Sequence, residues 1–562
     1  MNSIFRKIIR PQHIGAFLCL CLFAGHLQAG EYAVASASPL ATQAGIDVLE
    51  AGGNAFDAAV AVTSVLAVVE PYSSGLGGGG FYLLHQQAAN RQVMLDARER
   101  APLAAHRDMY LDAAGKADKD LSLNGATAAG IPGIPAALEH LQRNYGRLSL
   151  DKTMADAIGY AQNGFEIDDY YRSVAKWRLE VMQRYPSTSA VLLVNGEVPA
   201  EKAIIKQTDL AKTLRSIASQ GKAGFYDGAV AQKLVASVRA HGGIWSLKDL
   251  QQYELIEREP ARFRYGDADI IAASLPSSGG IVLNSIFNML EQLDHDQAEP
   301  VEAIHQLVEA MRRAFRDRAE FMGDIDYVDV PVEQLSSAAH ARQLLKNYSP
   351  GKATASADLR GVAATEGGND TTHFSVVDAD GNLVAATLSV NYPFGSGLIA
   401  DGTGVVLNDE MDDFSASPGV PNVWGLLGTE ANAIAPGKRM LSSMTPTFVH
   451  TPGRTLVTGT PGGSWIITMN LLGILEFLDG GNAEAIVSRR RFHHQYDPDV
   501  IRYEENTFPA STIEALMQKG HEFKVYPWRT GNMHSIIIDN KSGKLDAASD
   551  PRGEGQAIVA GD

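Results

Sequence analysis

The sequence predicts an α+β fold, rich in helix before residue 370 and rich in strand after it. Two patterns predict this. Apolar residues recur at helical spacing through most of the first part, whereas short segments alternate at a period of two from Thr371 onward. A third observation separates the halves. Residues 347–370, NYSPGKATASADLRGVAATEGGND, are small, polar and nearly without large apolar side chains. Such a stretch cannot bury much surface, so it is expected to be mobile or exposed.

The chain has 562 residues, more than one ordinary core holds, which points to a large domain or several smaller ones. Its 45% hydrophobic and 20% charged content is that of a soluble globular protein. The formal net charge of -17 argues against a nucleic-acid partner, because phosphate backbones call for a basic face. A small anionic substrate stays allowed, since it needs only a local cation.

The elements follow in chain order. Arg6, Lys7 and Arg10 precede a short apolar run, IGAFLCLCLFAG (14–25), and HLQA ends a cleavage pattern at Ala29. Residues 1–29 read as a secretory signal peptide, too short for a membrane span. Both cysteines, Cys19 and Cys21, lie inside it, so the mature chain is expected to have no disulfide and no thiol nucleophile. Without the three basic residues the charge falls from -17 to -20. ATQAGIDVLEA (41–51) has helical spacing and stops at Gly52-Gly53. Asn54 then caps a second helix, with Asp57 three residues on. That helix is apolar on all sides and should be buried. Residues 132–260 read as mostly helical, and 303–322 as another long helix. HFSVVD, NLVAATLSV, PTFVHT, RTLVTGT and MHSIIID read as strands.

Several motifs carry no chemistry. SSGLGGGGF (73–81) lacks the Lys-Ser/Thr of a phosphate loop, and its glycines are read as allowing close backbone packing. VDADGN (377–382) has the wrong acid spacing for calcium and reads as a hairpin turn. His493 and His494 are adjacent, so their side chains diverge and a shared metal is not expected. No serine elbow of the G-x-S-x-G type is present. No metal and no cofactor is expected.

DTTHFSVVD (370–378) is different. A threonine hydroxyl is a weak nucleophile without a base beside it, and its own α-amine can be that base if the residue begins a chain. Cleavage between Asp370 and Thr371 would create such an amine, which titrates near ~8. On this stretch alone, two ordinary β-branched strand residues remain the competing reading.

The residues around it extend the argument. LEAGGNAFDAAVA, GLGGGGF, DARERAP, DTTHFSVVDADGN, LNDEMDDFS, PGVPNVWGL, LSSMTPT, TGTPGGS and RFHHQ span nearly all of the mature chain. From about Ala33 onward the sequence resembles the γ-glutamyltransferase (γ-glutamyltranspeptidase, glutathione hydrolase) family of N-terminal nucleophile hydrolases. The resemblance implies a four-layer αββα sandwich built from two subunits of one self-cleaving precursor, here residues 30–370 and 371–562. They would stay together as a heterodimer. It implies Thr371 as nucleophile, Ser389 as its hydroxyl partner, and the N–H groups of Gly462 and Gly463 as oxyanion donors. Arg98, Ser442 and Ser443 would hold the α-carboxylate of a γ-glutamyl head. Asp413 would hold the α-ammonium, Glu410 and Asn391 would be further head-group ligands, and Trp424 would lie in a lid over the pocket (417–433). Glutathione and other γ-glutamyl compounds are the implied donors, with water, amino acids or peptides as acceptors. The lid resembles that of Gram-negative relatives and implies a periplasmic location. Two rivals follow: a cephalosporin (glutaryl) acylase of the same fold, and an exported γ-glutamyl-binding protein without activity.

Overall fold

The computed structural model describes residues 30–113, 115–359, 371–416 and 429–561. The leader, Asp370 and Trp424 therefore lie outside the described residues, and so do the cleavage-site and lid expectations that depend on them.

Thirteen strands form two principal sheets. In chain order they are β1 (Tyr32–Ser36), β2 (Gly79–Gln86), β3 (Arg91–Ala97), β4 (Ile256–Arg258), β5 (Ala261–Tyr265), β6 (Ala268–Ala272), β7 (Thr372–Val377), β8 (Leu383–Ser389), β9 (Thr447–His450), β10 (Arg454–Gly459), β11 (His534–Asp539), β12 (Leu545–Ser549) and β13 (Gln556–Ala560). The first sheet has seven strands in the order β13-β1-β7-β8-β2-β3-β4. The second has six, in the order β12-β11-β10-β9-β6-β5. All neighbouring pairs are antiparallel. Each sheet mixes strands from before and after residue 370.

Strand alternation sorts the side chains into three apolar layers. Ala33, Ala35, Phe81, Leu83 and Ala385 of the first sheet meet Ile271, Phe448, Val457 and Ile536 of the second. The opposite face of the first sheet (Val34, Tyr82, Leu84, Phe374, Val376) packs on the helices Pro39–Glu50, Ala55–Val69 and Ile134–Asn144. The outer face of the second sheet (Ile270, Val449, Leu456, Ile537) packs on the helices Gly279–Gln292, Pro300–Phe321 and Trp465–Leu478. The order helix, sheet, sheet, helix is the four-layer αββα sandwich that the resemblance implies.

Local expectations hold in detail. Asn54 and Asp57 close a capping box on the Ala55–Val69 helix, and every residue of that helix is buried. β7 to β11 coincide with the five segments read as strands, to within a residue or two. The glycines of 77–80 do permit close approach: a Cβ at Gly78 would lie 2.0 Å from the Ser389 carbonyl oxygen. His493 and His494 diverge as expected. His493 bonds Thr468 and Gln495, and His494 bonds Asp499.

In its described part the stretch 347–370 is mostly exposed or half-buried, as expected, with two exceptions. Thr354 and Ser356 are buried. Thr354 N–H donates to Glu309 and Ser356 N–H to Asp499. Arg313 donates to Asn347 and Thr354, and Arg312 to Ser356. A polar segment can be fastened by hydrogen bonds to buried charges with no apolar side chains of its own.

Candidate active site

Thr371 directly precedes β7, which is paired on both sides. A strand flanked by two neighbours fixes its backbone, so the Thr371 hydroxyl has a set position. In the β7–β8 register Thr372 faces Leu388. The next pair outward is Thr371 and Ser389, whose hydroxyl oxygens are 3.2 Å apart. Ser389 Oγ also accepts the Asn391 N–H at 2.8 Å. Asn391 adopts φ 77, a left-handed conformation that asparagine tolerates, and its Nδ2 donates to the Asp409 carbonyl.

Glu410 to Asp413 form one tight helical turn. Buried Asn408 ties that turn to the glycine stretch, with Nδ2 donating to the carbonyls of Gly77 and Gly130 and Oδ1 accepting the Glu410 N–H. Arg98 follows β3 and reaches across to the same turn. Its Nη1 donates to Glu410 Oε2 at 2.5 Å, its Nη2 to Asp413 Oδ2, and its Nε to the Met440 carbonyl at 3.2 Å. The two guanidinium arms thus engage two carboxylates, that of Asp413, expected to hold the ammonium, and that of Glu410, expected as a further head-group ligand.

Ser442 and Ser443 lie in the segment leading into β9, where Ser442 Oγ accepts the Met444 N–H. Gly462 (φ 137) and Gly463 (φ 55) stand ahead of the Trp465–Leu478 helix, at its positive dipole end. Among the described residues neither glycine N–H is engaged in a hydrogen bond.

These groups converge on one cavity of about 20 Å³, lined by all the expected catalytic and binding residues except Gly462, together with Met444 and Ile466. A volume of that size admits about one water molecule.

Charge is concentrated here. Burial pushes the Glu410 carboxyl up to about 7, against the opposing pull of Arg98 and with the help of Asp413. Burial and the Glu410 charge hold neighbouring Glu99 well above the usual carboxylate range. Burial opposes the charge on Arg98, but Glu410, Asp413 and Glu99 together hold it above the usual arginine range. Two further buried ionisable groups join the site, beyond those the sequence motifs single out. Glu99 lies 3.5 Å from Arg98 Nη1. Arg318, in the last turn of the Pro300–Phe321 helix, donates Nη2–H to Ser443 Oγ at 3.1 Å. The Arg98 neighbour is visible in DARER, but nothing in RRAFRDRAEF distinguishes Arg318 from the arginines beside it.

A larger cavity, about 760 Å³, opens among His85, Arg262, Gly381 and His450. It sits at the hairpin end of β7 and β8, the opposite end from Thr371 and Ser389. Elsewhere, His305, Glu309 and His521 have ligand atoms close enough for a metal ion. Those atoms already serve other contacts: His305 bonds His521 and the Ser349 carbonyl, and Glu309 accepts from Arg313 and the Thr354 N–H.

The match to known proteins agrees with this geometry. The family model described as Gamma-glutamyltranspeptidase matches residues 41–560. The chain belongs to that family. The glutathione hydrolase proenzyme of Escherichia coli (strain K12) is 40% identical over 525 residues, covering 92% of this chain and 90% of that protein. The protein of the same title from Pseudomonas aeruginosa is 40% identical over 546 residues, with 96% of each covered. Among solved structures, cephalosporin acylase from Bacillus halodurans superposes with a TM-score of 0.83 at 26% identity, covering 98% of both chains. Helicobacter pylori gamma-glutamyltranspeptidase matches with a TM-score of 0.56 at 38% identity, over 58% of this chain and 94% of that one. As a member of the gamma-glutamyltranspeptidase family, the chain is an enzyme. Among its described residues no helix is long and apolar enough to cross a membrane.

Proposed function

We propose that the chain is a γ-glutamyl transferase and hydrolase that cleaves itself between Asp370 and Thr371 and then works through a γ-glutamyl ester on Thr371. The observation that carries this reading is a single cavity lined by the Thr371 and Ser389 hydroxyls and by the charged set Arg98, Glu410 and Asp413. Relatives titled glutathione hydrolase proenzyme support both the substrate class and the processing.

Cleavage frees the Thr371 amine. A neutral α-amine takes the Thr371 Oγ proton as the oxygen attacks the γ-carbonyl. Negative charge develops on the carbonyl oxygen, and the N–H groups of Gly462 and Gly463 are available to stabilise it, at ~3 kcal/mol for such a donor. The amine returns its proton to the leaving amine, and the acyl group stays on Thr371. Water then yields glutamate, and an amino acid or peptide amine yields a new γ-glutamyl product. Ser389 orients the attacking hydroxyl.

Substrate binding is an exchange of ion pairs. The incoming α-carboxylate takes Arg98, aided by Ser442 and Ser443, while the α-ammonium takes Asp413 and Glu410, with Asn391 beside them. Every buried charge keeps a partner only if the ligand brings both signs. A glutaryl group brings only the carboxylate and offers Asp413 no ammonium in exchange for Arg98. This favours γ-glutamyl over the cephalosporin-acylase reading, despite the high overlap with that structure. An inactive binding protein needs the charged set but not the free glycine N–H groups or the paired hydroxyls.

Both sheets interleave strands from the two proposed subunits, 30–370 and 371–562. Separating them would break both sheets, so the cut chains stay together as a heterodimer. The leader, residues 1–29, supports export, and the resemblance to Gram-negative relatives supports the periplasm. The test is turnover of γ-glutamyl and glutaryl anilides by the purified protein. Preference for the glutaryl substrate would overturn the reading.

A further inference from the structure

We propose that Arg318 is a positioning residue of the γ-glutamyl site, which orients the Ser443 hydroxyl so that its proton points at the substrate α-carboxylate. This rests on the γ-glutamyl reading and adds a residue to it.

Arg318 is 3% exposed. Among the described residues it forms no ion pair with a carboxylate. Burial and the Arg98 charge oppose its charged form and only the Asp413 charge, beyond bonding distance, favours it. A buried guanidinium with no bonded carboxylate is costly, so a site that keeps one gains something from it. Two contacts define its place. Its Nη2 donates to Ser443 Oγ at 3.1 Å, and its Nε donates to Ser278 Oγ at 2.9 Å. Ser278 in turn donates both Oγ–H and N–H to the Ser442 carbonyl, at 2.7 and 2.9 Å. One guanidinium therefore anchors both serines of the carboxylate pocket, Ser443 directly and Ser442 through Ser278.

The direction of the Ser443 bond matters. Arginine only donates, so Ser443 Oγ must accept. A hydroxyl that accepts from arginine keeps its single proton for another partner. Ser443 lines the cavity, so that proton is available to a ligand carboxylate. The nearby positive charge also makes the hydroxyl a better donor. Arg318 sits at the C-terminal end of its helix, where the helix dipole favours a cation.

The test uses matured wild-type enzyme, Arg318→Gln, Arg318→Lys, Ser443→Ala and the Arg318→Gln/Ser443→Ala double variant. Inhibition of γ-glutamyl anilide hydrolysis is measured with L-glutamate and with 4-aminobutyrate, which lacks the α-carboxylate. Arg318→Gln is expected to raise KM and the glutamate inhibition constant about tenfold or more, with kcat changed less than about threefold. Inhibition by 4-aminobutyrate should change less than about twofold, and Arg318→Gln should add little in the Ser443→Ala background. Arg318→Lys should lie between Arg318→Gln and wild type. Equal weakening of both inhibitors, a fall in kcat at unchanged KM, or independent effects of the two substitutions would overturn the proposal. If Arg318→Gln does not mature to two chains, Arg318→Lys combined with Ser443→Ala makes the same decision. Absence of γ-glutamyl anilide hydrolysis in the wild type would instead remove the underlying reading, before any variant is compared.

Discussion

Replacing Asp413 with asparagine should change substrate preference, not merely lower activity. The Asp413 side chain is 11% exposed and bonded to Arg98. In the proposed γ-glutamyl complex its partner is the substrate ammonium. A hydrogen bond to a charged group contributes ~1.5–3 kcal/mol, and the asparagine amide keeps the shape while losing the charge. At ~1.4 kcal/mol per tenfold change, kcat/KM for a γ-glutamyl anilide should fall roughly 10- to 100-fold. The glutaryl anilide behaves oppositely. In the wild type its carboxylate competes for Arg98 and brings no ammonium to Asp413 in exchange, and asparagine lessens that penalty. Its kcat/KM should stay level or rise, so the ratio between substrates changes by more than either rate alone. The assay is release of the chromogenic amine from both substrates, with wild type and variant at the same maturation state. Equal losses on both substrates would refute the ion-exchange account, because they would assign Asp413 the orientation of Arg98 rather than recognition of the ammonium.

Other consequences are equally open to measurement. Thr371→Ala should purify as one uncut chain on a denaturing gel. Ser389→Ala, which removes a hydroxyl 3.2 Å from the nucleophile, should lower kcat by roughly tenfold or more with KM little changed. Glu410 gives a pH signature. Its native carboxyl is pushed up to about 7, well above the usual carboxylate value, so across that interval the folded protein holds a proton that the unfolded chain has lost. Stability from this group is therefore lost as pH rises toward 7, while KM for a γ-glutamyl anilide falls as the ammonium-binding carboxylate ionises. Glu410→Gln should flatten both profiles in that window, read by Tm and by KM against pH. Gly462→Ala would place a Cβ 2.5 Å from Met469 Cε at φ 137, and should reduce kcat through displacement of the oxyanion donors.

Much of this site is legible in the sequence because its residues sit in short blocks with distinct chemistry. DTTHFSVVD carries the proposed nucleophile at the start of a strand with clear alternation, and β7 to β11 fall where that alternation puts them. The strands of the first half are harder to read. GGFYLLHQ and YAVAS are buried on both faces, so their apolar runs carry no period that separates strand from buried helix. β5 and β6 complete the second sheet from within a mostly helical half, through pairing with β9 that only the folded chain reveals. Arg318 shows the same limit at the level of one side chain. Its relevance comes from Ser443, 125 positions away, and no local pattern signals that contact. The anchoring of Thr354 and Ser356 is hidden for a related reason, since their partners Glu309, Arg312, Arg313 and Asp499 are distant in sequence.

The most direct measurement is the intact mass and N-terminal sequence of each chain in the active, purified enzyme. The account predicts two associated polypeptides, the smaller starting with Thr371. Full turnover of a γ-glutamyl anilide by material in which residues 370 and 371 are still joined would contradict it.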